Sequence, residues 1–279
     1  MTDNILNDNI RLERSGGRIN ANALLNTSAR FWFLMAMAGQ FIFLYYIIVF
    51  YGSASLSGDF TEVNKRLIHG FIPGDTIGNF AVAMHLILSA VITFGGPLQL
   101  IPKIRARFPV FHRWNGRIYM VTAIIISLGG LYMIWTRGTI GALSQHISIS
   151  LNGVLIIIFA IMATYYAMNR KINIHRRWAL RLFLAVSGVW FFRVGFMLWM
   201  LANQGPVGFD PKTFTGPFLV FLAFGQYLIP LGILELYFLA QKSRNKVGKI
   251  SMAATLFILT ILMSAGIFGA TMGMWLPKL

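Results

Sequence analysis

The chain has 279 residues, of which 57% are hydrophobic and only 11% charged, with a formal net charge of +16. The apolar residues fall in long runs, which excludes a soluble domain of this length and indicates an all-α membrane protein. There is no cysteine, so disulfides, thiolate metal sites, iron–sulfur clusters and thioether-linked haem are excluded. The basic excess is explained by membrane topology, and no nucleic-acid partner is expected.

Residues 1–29 are polar, show no cleavable signal-peptide pattern, and read as a cytoplasmic N-terminal segment. Residues 30–279 read as a seven-span membrane domain. The expected spans are 30–51, 80–101, 115–135, 145–168, 178–202, 217–240 and 251–275. Each is long enough to cross a hydrocarbon core of roughly 30 Å. Spans two to five, residues 80–202, are expected to form a central four-helix bundle around which the other spans are arranged.

Lys and Arg set the orientation. The N-terminal segment and the connections after spans two, four and six carry 18 of the 24 basic residues. The opposite side carries Lys65, Arg66, Arg137, Lys212 and Lys278. The positive-inside rule puts the N-terminus in the cytoplasm and the C-terminus outside. A bacterial inner membrane is the expected location. The longest outer connection, 52–79, holds His69, Asp59, Glu62 and Asp75; it reads either as a cap over the bundle or as an ordinary loop.

Four of the five histidines recur at the ends of spans two to five. His85 precedes His112 by 27 residues, and His146 precedes His175 by 29. His112 opens HRWNGR, ending at Arg117, and His175 opens HRRWALR, ending at Arg181. The pattern reads as a duplicated two-helix unit. Topology sorts the histidines into an outer pair, His85 and His146, and an inner pair, His112 and His175. Imidazoles facing each other across a bundle suit the two axial positions of haem iron, so all four are candidate iron ligands. The residue four positions after each is small: Ser89, Gly116, Ser150 and Ala179. That leaves room for a flat macrocycle, or simply lets helices approach closely. His85 lies in the apolar run VAMHLIL, where nothing nearby explains it. The inner pair stands among Arg113, Arg117, Arg176 and Arg181. There, anchoring to headgroups or binding of an anionic group competes with haem ligation.

Two charges lie within spans. Arg193, in WFFRVGF, is expected to meet a haem propionate, a quinone oxygen or a lipid phosphate, or else to snorkel to the outer headgroups. Glu235, near the cytoplasmic end of span six, is expected to neutralise a cytoplasmic arginine. Its alternative role is proton uptake to a quinone near the inner pair.

The stretch MHLILSAVITFGGPLQLIPKIRARFPVFHRWNGRIY, with the later NIHRRWALR, resembles the bacterial membrane proteins grouped as domain of unknown function 2306. The resemblance covers about residues 80–195 and implies fold and topology, not an activity. The arrangement is also similar, more distantly, to di-haem cytochromes of the b-561 and ferric-reductase-like superfamily. Their alternating helices pair histidines as His85 with His146 and His112 with His175 would here.

The resulting expectation is a b-type haem protein carrying one or two haems. It would move electrons between a quinone pool and an acceptor near the outer face, as a membrane oxidoreductase served by a quinone or a partner protein. The alternatives are a small-molecule transporter and a non-catalytic lipid-binding scaffold. The topology is directly testable. A reporter fused to the C-terminus should read as external, and one in the loop from Gln241 to Lys249 as cytoplasmic; a cytoplasmic C-terminus would show that a span has been miscounted.

Overall fold

A computed structural model describes residues 20–57, 64, 70–138 and 141–278. Residues 1–19, with Arg11, Arg14 and Arg18, and residues 58–63 and 65–69 of the long connection, with Asp59, Glu62, Lys65, Arg66 and His69, lie outside the described residues. The chain forms α1 (Ala21–Ser57), α2 (Thr76–Leu100), the short α3 (Pro102–Arg107), α4 (Pro109–Arg137), α5 (Leu143–Met168), α6 (Ile172–Val186), α7 (Gly188–Asn203), α8 (Pro217–Lys242) and α9 (Lys246–Ala270). A π-helical turn, Thr271–Trp275, continues α9. Six helices are long and apolar enough to span a membrane, and α6 and α7 together make a seventh, bent span.

Local chemistry sets the helix ends. Asp75 caps α2 by accepting from the Gly78 amide at 2.9 Å, and Asn245 caps α9 by accepting from Val247 at 2.9 Å. Pro102, Pro109 and Pro217 open α3, α4 and α8, where the missing amide hydrogen costs no helical bond. Gly138 ends α4 at φ 75°, a conformation that side chains with a Cβ resist.

Helices α2, α4 and α5 pack in sequence order, and α6 closes on α5. Together they bury Ile92, Tyr119, Ala123, Ile156, Phe159, Ala160, Leu182 and Ala185 in one apolar core. This is the expected four-helix bundle of spans two to five, in the half nearer the basic connections. The opposite half differs. The fifth span bends by 52° at Ser187 instead of running straight through 178–202. Its far half, α7, joins α1 and α9 in a second core containing Phe43, Tyr46, Trp190, Val194, Ile267 and Trp275.

Buried side chains meet at the bend. The Ser187 hydroxyl donates to the Phe183 carbonyl at 2.7 Å, beside the Ser187 amide at 3.0 Å. Gln40 of α1 donates to that hydroxyl at 2.8 Å. Asn152 of α5 donates to the Ala185 carbonyl at 3.1 Å, satisfying a group in the last turn before the bend. A Cβ on Gly188 would lie 2.9 Å from the Asn152 amide nitrogen, so a side chain there would displace it.

Contact between α7 and α9 relies on Gly266. A Cβ at that position would sit 2.5 Å from the Val194 carbonyl oxygen, a backbone atom with no rotamer to change. Gly266→Ala should therefore destabilise the protein by about 1–3 kcal/mol, the usual cost of overpacking. Gly232→Ala, with nothing within 4 Å, is the control. Thermal unfolding in detergent reads the difference; equal midpoints for the two variants would contradict the packing.

Candidate cofactor site

His85 sits on the face of α2 that meets α4. Its ring lies over Gly130, where an added Cβ would be 3.5 Å from Cε1. Its Nδ1 is buried with no hydrogen-bond partner. Ser89 does not face a ligand space with its hydroxyl, which bonds back to the His85 carbonyl at 2.7 Å.

His146 lies in the first turn of α5. Its ring stands edge-on to Trp135 of α4, with centroids 6.5 Å apart. Trp135 in turn donates to Ser150 at 3.1 Å. Gly130 and Trp135 are five residues apart, or about 140° around α4. His85 and His146 thus contact the same helix from different sides.

At the basic end, His112 of α4 and His175 of α6 lie within electrostatic reach of each other and of Arg105. His175 Nδ1 is 2.9 Å from the Ala163 carbonyl, so that nitrogen carries the proton and Nε2 holds the lone pair. His112 Nδ1 is buried without a partner. The His112 carbonyl accepts from Gln99 of α2 at 3.0 Å, which ties the start of α4 to the end of α2. Gly116, four residues after His112, makes room for Gln99, whose Oε1 would be 3.3 Å from an added Cβ.

The arginines of the two repeated phrases have different surroundings. Arg181 makes a two-pronged pair with Glu235 of α8, at 2.7 and 3.0 Å, and stacks on Trp178. Glu235 therefore neutralises an arginine of the basic face, the structural role expected of it. Arg177 lies over Phe238 at 4.8 Å. Arg117 folds onto Trp114 of its own helix, and both Arg113 and Arg117 are exposed.

Arg193 belongs to α7 and so points into the second core. Its Nη1 donates to the Val189 carbonyl at 3.1 Å, and its guanidinium lies over Phe43 of α1 at 5.2 Å. Tyr46 and Tyr51 are its electrostatic neighbours. Among the described residues, no three His, Asp or Glu side chains are grouped to hold an ion.

On the face opposite the basic connections, Arg137 at the end of α4 grips Asp75, its Nε at 3.0 Å and Nη2 at 2.5 Å from Oδ2. It also donates to Asn79 and to the Gly70 carbonyl. This lock was not anticipated from the sequence. Asp75 directly before an apolar run is a recognisable cap, but its pairing partner 62 residues away is not.

The sequence model of a family described as predicted membrane protein, domain of unknown function 2306, matches residues 82–229, just over half of the chain. The match includes His85, His112, His146, His175 and Arg193. No curated protein and no solved structure matches.

The Asp75 lock has a defined pH response. The Gly78 amide and then Arg137 hold the Asp75 carboxyl below its ordinary value of 3.8. A depressed carboxyl pKa contributes stability that is present above the unfolded value and lost only as pH falls through the folded one. Hydrogen exchange of residues 70–79 should thus stay slow down to about pH 4 and accelerate below it. Asp75→Asn should show the fast behaviour at every pH. Equal exchange in the two proteins at pH 7 would remove the lock from consideration.

Proposed function

Because this chain belongs to the domain of unknown function 2306 family of predicted membrane proteins, whose name carries no activity, we infer its function from its own residues. It is a multi-pass membrane protein, and the reading its geometry supports best is a b-type haem protein that transfers electrons. In this reading the basic face lies in the cytoplasm of a bacterial cell, and the membrane is the inner one.

The observation that carries the reading is the state of the His85 ring. Its Nδ1 is buried with no hydrogen-bond partner. Buried polar atoms without partners are rare, and each calls for a partner such as a water or a metal. A carbonyl on one ring nitrogen orients a ligand imidazole and raises its basicity, and His175 has one, with Nδ1 at 2.9 Å from the Ala163 carbonyl. Gly130 lets the His85 ring lie against α4. These features fit haem. His112 with His175 would hold one group, and His85, which meets α4 from a different side than His146, would be a single axial ligand to a second. When bound, haem iron supplies a one-electron ferric–ferrous couple.

The chain's own contribution would be to orient the imidazoles, to exclude water with the apolar core around Ile92 and Tyr119, and to keep the iron within the bilayer. A quinol pool is the donor suited to a protein whose helices leave little room for a flavin or nicotinamide domain. The second reading, a small-molecule transporter, is favoured by the bend at Ser187, where Gln40, Asn152 and Gln226 bring buried polar groups to membrane depth.

Absorption spectroscopy of the protein, expressed with ample haem, tests the proposal. A Soret band should appear. His85→Ala should remove the absorbance of one haem, and His175→Ala that of the other, with the protein still inserted in the membrane. Wild-type protein without a Soret band would end the haem reading and leave transport, measured as solute uptake by proteoliposomes, as the reading to pursue.

A further inference from the structure

Two cavities adjoin where α1, α8 and α9 come together at the basic face. One is polar, with a volume of about 430 Å³, and lies between the start of α1 and the short turn from α8 to α9. Asn20 and Asn22 line it on one side, and Arg244, Lys246 and Lys249 on the other. The second is an apolar groove of about 360 Å³ along α8 and α9, lined by Leu236, Leu239, Ala240 and Met252. Ser243, at the end of α8, lines both.

The charges in the polar cavity have no counter-charge. Lys249 is half-buried, and its ammonium donates to the Asn22 side-chain oxygen, a neutral partner. Among the described residues, no carboxylate lies within ion-pair distance of Arg244, Lys246 or Lys249. Elsewhere on the basic face Arg181 has Glu235, and Arg117 and Arg177 rest on aromatic rings. Three cations around one space repel each other, and an anion between them relieves that repulsion. The frame that holds them is fixed. The Asn245 amide donates to the Ser243 hydroxyl oxygen at 3.0 Å, the Asn245 side chain caps α9, and the Lys249 bond to Asn22 ties α9 to α1.

The groove decides which anion fits. Ala240 and Met252 belong to the buried core that also contains Leu25 and Leu256, so its floor is packed. Leu236 and Leu239 are exposed on α8 and complete an apolar wall. From Ser243 to Leu236 is seven residues, roughly 10 Å along the helix axis. A free phosphate would use the cations and leave the groove empty. A phospholipid uses both parts, with its phosphate among the cations and an acyl chain along the leucines. We propose that this junction binds one anionic phospholipid, its phosphate held by Arg244, Lys246 and Lys249 and a chain laid in the α8–α9 groove. The bound lipid would fasten the start of α1 to the α8–α9 turn, whether or not the protein carries haem.

Native mass spectrometry of the full-length protein in detergent, titrated with dioleoyl phosphatidylglycerol or dioleoyl phosphatidylcholine, tests this. One phosphatidylglycerol should bind in preference to phosphatidylcholine. Arg244→Gln and Lys246→Gln should each weaken that binding about fivefold, the weight of one basic residue beside an anionic headgroup. Ser251→Phe, at an exposed position lining the groove, should weaken it several-fold with no change of charge. Lys103→Gln and Lys171→Gln remove exposed charges outside the cavity and should have little effect. Phosphatidylglycerol should also raise the thermal unfolding midpoint of the wild type more than that of Lys246→Gln, which checks the site without the gas phase. Equal binding of the two lipids would overturn the proposal. So would losses from Lys171→Gln equal to those from Lys246→Gln, which would show only the general attraction of a basic face. Displacement of the lipid by millimolar inorganic phosphate, with Ser251→Phe binding as the wild type does, would make the cavity a free-anion site and overturn it as well.

Discussion

The architecture depends on the 52° bend of the fifth span at Ser187, where buried side chains of two other helices meet it. Hydrocarbon offers the polar groups of that turn no water, so other helices serve them. Gln40 of α1 donates to the Ser187 hydroxyl, and Asn152 of α5 to the Ala185 carbonyl. The bend therefore does more than change a direction. It fastens the first and fourth spans to the middle of the fifth, and it divides the protein into two cores that one span serves in turn.

That division separates the candidate chemistry. The half of the fifth span nearer the basic face, α6, carries His175 and Arg181 and closes the four-helix core around Ile92, Tyr119 and Phe159. The other half, α7, carries Trp190 and Arg193 to the aromatic side chains of α1 and α9. In a straight span, Arg193 would rise within the four-helix bundle, on the side of His85 and His146. With the bend, its guanidinium finds the face of Phe43.

Electrostatics reinforce this arrangement at both faces. Each acidic residue in the helical body and its approach is placed against an arginine from a different helix: Glu235 against Arg181, and Asp75 against Arg137. Both pairs use two guanidinium nitrogens, which fixes geometry as well as charge. The first joins α6 to α8, and the second joins the end of α4 to the cap of α2. The remaining basic residues near the connections stay exposed or lie on aromatic rings, as Arg117 does on Trp114. A positive face is thereby kept next to the headgroups without burying an unpaired charge.

The sequence alone determined the class and the membership of the family, because each rests on local signals; where it gave seven spans, the structure has six single helices and one bent pair. Twenty-residue apolar runs leave few alternatives in a bilayer, and the phrases around His112 and His175 are read without knowing any contact. The sequence also placed Glu235 at the level of the basic face. Other features had no local signal. Ser187 is one serine among apolar neighbours, and serines occur in straight membrane helices too; only its surroundings, with Gln40 and Asn152 from distant parts of the chain, distinguish it. The burial of His85 Nδ1 depends on α4, where Gly130 meets its ring, and the partner of Asp75 lies 62 residues away. Tertiary structure decided these because a polar group within a membrane is defined by what it meets on another helix, and periodicity along one helix does not record that.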